Sequence, residues 1–149
     1  FGKGKVPCLW AHLRGMNLAE QYPPTMELAQ AYSIQAPVMS LLGYFSRAIA
    51  YPQKSHEIAR NLGGLWGQGQ AIHFTGLSLY VSARFEECIE KCREAVRLLE
   101  RTGDVWEVNI ARYHIAASLY RLGDLAGAVA EAKRIHQAGL ELGDIQASG

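Results

Sequence analysis

The sequence predicts an all-α fold, an α-α superhelix in which antiparallel helix hairpins of about 40 residues stack into a solenoid. Two observations carry this. Side chains of one kind recur at a spacing of 40 residues without gaps, and within each unit apolar residues recur at the three- and four-residue steps of an α-helix. The β signals, strict alternation and Asn-Gly turns, are absent.

The columns are specific. Gly63, Gly103 and Gly143 share one. Trp66 matches Trp106, and Ala31, Ala71 and Ala111 align. So do Met39, Leu79 and Leu119, and the larger Phe45, Phe85 and Leu125. Ala48, Cys88 and Ala128 form a column of small residues that Cys8 joins one row earlier. Small residues there let two helices approach, and the larger column is expected to plug the gap towards the neighbouring hairpin.

In chain order, residues 5–21 are expected to be the second helix of a partial repeat within a single domain spanning 1–149. The repeat 22–62 has helices near 25–42 and 44–61. Pro37 and Pro52 fall inside them, and each removes a helix N–H at a cost of about 3 kcal/mol, so a kink or break is expected there. The repeat 63–102 has helices near 65–82 and 84–101. Its second helix shows one apolar face (Phe85, Cys88, Ile89, Cys92, Val96, Leu99), with Glu87 and Lys91, Glu90 and Arg93, and Glu94 and Arg97 set to pair on the other. The repeat 103–142 has helices near 105–122, carrying Val108, Ala111, Ile115, Ala116 and Leu119, and 124–142, carrying Leu125, Ala128, Val129, Ala132 and Ile135. Residues 143–149 open a further repeat. Thr102-Gly103-Asp104, Leu122-Gly123-Asp124 and Leu142-Gly143-Asp144 are the punctuation: glycine closes one helix in the left-handed conformation and aspartate caps the next.

Bulk properties narrow the function. The chain is 49% hydrophobic and 19% charged, which is the balance of a folded domain. A formal net charge of +1 gives no electrostatic reason to expect nucleic-acid or membrane binding. No apolar run reaches the roughly 20 residues of a membrane span, and no signal-peptide pattern is present. Three cysteines without framework spacing point to a reducing, cytoplasmic setting. The repeat phase at both ends leads us to expect a piece of a longer chain whose uncapped ends, near Leu9, Trp10 and Leu13 and near Leu140 and Leu142, favour self-association.

Candidate chemistry is sparse. Cys88 and Cys92 have a spacing that two metal ligands share, but both fall in core columns with no second ligand pair. His12, His56, His73, His114 and His136 are scattered outside any HExxH or HxH pattern. Gly64-Leu-Trp-Gly67-Gln-Gly69 resembles a phosphate loop, yet no strand precedes it and the repeat makes it a turn. Gly2-Lys3-Gly4-Lys5 lacks the spacing and the Ser/Thr of a P-loop. No catalytic, cofactor or metal residue is read, and the chain is expected to act by binding.

The columns resemble the tetratricopeptide repeat, whose small residue, large apolar residue, Gly-Asp-aromatic and alanine are seen at Ala116, Leu119, Gly123-Asp124-Leu125, Ala128 and Ile135. The middle row reads Gly76, Leu79, Phe85, Cys88 and Ala95, and the first reads Ala36, Met39, Gly43, Phe45, Ala48 and Ser55. The resemblance implies a concave groove lined by the first helices, where a protein or peptide binds. By register its lining is Gln30, Ser33, Pro37 and Ser40, then Gln70, His73, Leu77 and Tyr80, then Tyr113, Ala117, Tyr120 and Arg121. For Tyr80 and Tyr120 a packing role between hairpins competes evenly with a groove role, whereas Trp66 and Trp106 are expected to pin the turns between repeats. The Lys/Asn clamp with which some of these modules grip a terminal carboxylate is replaced by Ser33, Pro37, His73, Leu77, Tyr113 and Ala117, so an acidic chaperone tail is not the expected ligand. The longer repeat with Leu-Gly-Asp punctuation resembles the arrays of large bacterial signalling proteins linked to AAA or STAND-type ATPases. This implies an interaction or sensor segment of a cytoplasmic signalling protein. The alternative is a small-ligand regulator of an attached ATPase, cyclase, kinase or transcription regulator, with the ligand held around His73, Tyr80 and Tyr113.

Overall fold

The computed structural model describes residues 5–143, apart from the side chains of Lys5 and Leu142. The unfinished repeat expected after Gly143 lies outside the described residues. The described residues form seven α-helices: α1 (Lys5–Ala19), α2 (Met26–Leu41), α3 (Phe45–Asn61), α4 (Leu65–Val81), α5 (Phe85–Leu99), α6 (Val105–Arg121) and α7 (Leu125–Leu142). A 3-10 turn, Glu100–Thr102, extends α5. The periodicity therefore places every helix to within a few residues.

The turns form because their sequences permit them. Gly43, Gly63, Gly103, Gly123 and Gly143 all have φ between +68° and +85°, a region that costs other residues a Cβ clash. The amide just beyond the left-handed residue reaches back five positions: Tyr44 to Met39, Gly64 to Ala59, Arg84 to Leu79 and Asp124 to Leu119, at 2.8–2.9 Å. Ala83 stands where Gly43 and Gly123 stand in their repeats, and it takes φ +59° without glycine's freedom. Asp104 and Asp124 then cap α6 and α7, accepting from the amides of Glu107 (3.1 Å) and Gly127 (2.9 Å).

The prolines do not break the helices. Both α2 and α3 run on through Pro37 and Pro52, so the break expected at one or both of them does not occur. In α3 the reason is visible. Pro52 cannot donate to the carbonyl of Ala48, and the hydroxyl of Ser78 on α4 donates to it instead, at 3.1 Å.

Consecutive helices pack as antiparallel pairs, and glycine sets the closest approach. A Cβ on Gly76 would stand 2.6 Å from the Cys92 sulfur, so the absence of a side chain is what lets α4 lie against α5. Ile72, Leu79, Cys88, Cys92, Leu99 and Ile115 belong to a continuous core through α4, α5 and α6. Cys88 and Cys92 belong to it as their columns predict. A smaller cluster of Met16, Leu28 and Tyr32 joins α1 to α2. Of the larger column, Phe85 meets Tyr80 edge-on with ring centres 5.6 Å apart, whereas Phe45 and Leu125 are exposed. In the repeat of Phe45, Ser40 stands at the position of Tyr80, so the column has no aromatic ring there. The charged face of α5 also pairs differently from expectation: Lys91 bonds Glu94 and Arg84 bonds Glu87.

The helices α2, α4 and α6 touch one another in succession, while α3 and α5 pack mainly on the helices flanking them in sequence. Helices on the inner radius of a superhelix crowd together, so α2, α4 and α6 line the concave side and α3, α5 and α7 the convex side.

Candidate functional site

Gly76 marks the side of α4 that faces α5. At about 100° per residue, Leu77, Val81 and Phe74 lie roughly 100°, 140° and 160° round α4 from Gly76. The same positions are Ile34, Pro37 and Leu41 on α2, and His114, Ala117 and Arg121 on α6. Pro37, Leu77 and Ala117 are each half-buried, and Leu41, Val81 and Arg121 are each exposed. These positions are mainly apolar, with one cation, Arg121, at the α6 end. Sequence register named Pro37, Leu77, Ala117 and Arg121 for the groove. It did not name Ile34, Leu41, Phe74 or Val81, which stand in the same columns.

Two residues expected in the groove lie under its surface. Gln70 and His73 are 5% and 2% exposed, and Ser33 and Ser40 are also buried. Gln70 donates through Nε2 to Glu107 Oε1 at 3.0 Å, across the seam between α4 and α6. His73 Nδ1 stands 3.4 Å from Glu107 Oε2, near enough for attraction though not aligned as a hydrogen bond. On its other side His73 Nε2 lies 3.1 Å from His114 Nδ1, which is also 2.9 Å from the Ile110 carbonyl. Burial, then the neighbouring His73, push the His114 pKa down to about 4. The rings of Tyr80 and Tyr113 meet His114 edge-on at 5.9 and 5.4 Å. Arg121 lies against the Tyr80 hydroxyl, which raises the guanidinium pKa.

Tyr113 and Tyr120 are also displaced from the expected groove. They stand one repeat beyond His73 and Tyr80, which α6 covers. Among the described residues nothing covers α6 on that side, and Tyr113 is 59% exposed. With Trp106, Leu125 and Val129 they form an end face of the stack. Trp66, the repeat-mate of Trp106, locks the turn as expected: its indole N–H donates to Asp104 Oδ2 at 2.8 Å, joining one repeat to the next.

Elsewhere a cleft of about 170 Å³ opens between α3, α4 and α5, lined by residues that include His56, Thr75, Lys91 and Glu94. It is smaller than the roughly 300 Å³ at which small-molecule pockets begin. Among the described residues no helix is long and apolar enough to cross a membrane.

No family model matches the chain, and no curated protein matches it significantly. In fold the chain is similar to aspartyl phosphate phosphatase F from Bacillus subtilis, with a TM-score of 0.79 over 91% of this chain at 18% identity. The match spans 36% of that protein's length, so the chain corresponds to about a third of it. Shared architecture at that identity speaks for the fold alone. With paired helices, 40-residue register and this neighbour together, the chain has a tetratricopeptide-like helical-repeat fold.

Proposed function

We propose that the chain is a non-catalytic interaction segment that holds a peptide or protein element along the concave side of α2, α4 and α6. The observation carrying this reading is the recurrence of one open, mainly apolar strip on three successive helices: Ile34–Pro37–Leu41, Phe74–Leu77–Val81 and Ala117–Arg121. Leu41 is 83% exposed and Val81 40%, and apolar side chains so placed on two successive inner helices are costly to leave wet and useful to cover. The strip is open along its length, which suits an extended or helical segment bearing apolar anchors. Arg121 suits an acidic residue at one end of that segment. Peptides selected for binding to the chain provide the test. Val81→Glu and Leu41→Glu, both at exposed positions, are expected to weaken binding at least about tenfold with little change in melting temperature. Undiminished binding by both variants contradicts the reading.

The Leu-Gly-Asp punctuation supports a place for this segment within a larger bacterial signalling protein. Sequencing the reading frame on both sides tests that placement, and a frame encoding only these repeats and their caps would refute it.

A further inference from the structure

We propose that His73 and His114 form a proton-operated latch between α4 and α6, closed while His73 is neutral and released when it takes up a proton. The tautomers follow from the partners. The Ile110 carbonyl can only accept, so His114 Nδ1, 2.9 Å away, carries a hydrogen. That N–H also faces His73 Nε2 at 3.1 Å, so Nε2 must be the bare, accepting nitrogen. Neutral His73 then keeps its hydrogen on Nδ1, the nitrogen 3.4 Å from Glu107 Oε2, close enough for attraction though not aligned as a hydrogen bond. Glu107 is in turn held by Gln70. The result is one polar chain running Ile110, His114, His73, Glu107, Gln70 through a seam between two repeats.

Protonation of His73 breaks this order. A hydrogen on Nε2 would point at the Nδ1–H of His114, setting donor against donor in a site with little water to intervene. One ring must turn or the helices must part. The Glu107 carboxylate lies on the Nδ1 side of the ring and leaves that clash unrelieved. The other titratable or charged groups that the described residues bring to the pair are Tyr80 on α4, Cys88 on α5, whose sulfur lies 4.0 Å from the His114 carbonyl, and Tyr113 on α6, with Arg121 reaching Tyr80. None of these supplies an acceptor to the new hydrogen.

The fold itself does not require this polarity. In the preceding seam, between α2 and α4, the positions of His73, His114 and Glu107 are held by Ser33, Phe74 and Gly67. His114 thus stands in the groove-floor column that Ile34 and Phe74 fill with apolar groups. Releasing the latch would move the Tyr80 and Tyr113 rings packed on it. The latch stands on the seam's own geometry, whatever the groove holds.

Histidine-selective ¹⁵N NMR on the chain tests this directly. At pH 8 both rings are expected in the Nδ1–H tautomer, the rarer one for free histidine. From pH 8 to pH 5, where histidines ordinarily titrate, the protection factors of amides along α6, which correct for the acid slowing of intrinsic exchange, are expected to fall at least about tenfold as the seam opens. His73→Gln keeps an acceptor near the Nε2 position but cannot be protonated, and it is expected to shrink that acid response to the part that His114 alone produces. An Nε2–H tautomer in either ring at pH 8 overturns the proposal whether or not the variants fold, and so does an unchanged acid response in His73→Gln.

Discussion

The hydroxyl of Ser78 donates to the carbonyl of Ala48, the oxygen that Pro52 leaves without its helical partner. The same hydroxyl lies 3.0 Å from the Phe74 carbonyl of its own helix, so the one hydrogen is shared between two acceptors. One repeat on, Ser118 lies over Cys88, but Cys92 stands where Pro52 stood and its amide occupies the Cys88 carbonyl within an unbroken helix. Ser118 Oγ accordingly has no oxygen or nitrogen partner among the described residues.

Ser78→Ala is therefore expected to destabilise the chain by about 1–3 kcal/mol, the cost of a buried carbonyl left unpaired. Ser118→Ala is expected to be neutral or slightly stabilising. Chemical denaturation of both variants checks this, and equal losses at the two sites contradict it. Restoring the amide with Pro52→Ala should remove most of the Ser78→Ala penalty in a double-mutant cycle.

Ala83 holds a left-handed conformation at the column of Gly43 and Gly123. Ala83→Gly is expected to raise stability by about 0.5–1 kcal/mol, the relief of the Cβ clash outweighing the added freedom of the unfolded chain. A lowered melting temperature would show that the turn is not strained.

Gly76→Ala is expected to cost about 1–3 kcal/mol through overpacking, because its new Cβ meets the Cys92 sulfur. Cys92→Ala removes the obstructing atom, so the double variant should be more stable than the sum of the two single losses predicts. Additive losses would mean the helices are not in contact at this point.

His114 titrates near 4 in the folded chain and near 6.5 when unfolded. Between those values the unfolded state binds the extra proton, so stability is full above pH 6.5 and falls as the pH drops towards 4. The loss from this one group is about 3 kcal/mol. Urea titrations across that window should show the slope, and His114→Phe, the residue at the equivalent position on α4, should flatten it. A slope of the opposite sign would contradict the buried, neutral state of His114.

The end face carries a further expectation. Val129 is 53% exposed, whereas Ile89, one repeat earlier, is 6% exposed beneath α6. With Leu140, Trp106 and Tyr113, and with Trp10 and Val6 at the other end, this apolar surface is expected to make the chain self-associate at high concentration. Light scattering should show species larger than the monomer; a strict monomer at millimolar concentration counts against it.

The helices were legible in the sequence because periodicity and Gly-Asp punctuation are local signals. Continuity through Pro52 was not, because the compensating hydroxyl comes from a residue 26 positions away. Register set Leu77, Ala117 and His73 together on the inner helices, but it could not tell that His73 is buried against the next repeat, since that direction depends on how successive hairpins are rotated. Nor could it pair His73 with His114, which are 41 residues apart and meet only across the seam. Tyr113 and Tyr120 read as groove residues because their columns are shared with His73 and Tyr80; their exposure comes from standing on the last described inner helix.

The most direct measurement of the central claim is the footprint of a selected peptide, mapped by backbone NMR shifts across the chain. Perturbations gathered on Ile34, Phe74, Leu77, Val81 and Ala117, with the convex faces of α3 and α5 unaffected, are the predicted result. A footprint centred on those convex faces would contradict it.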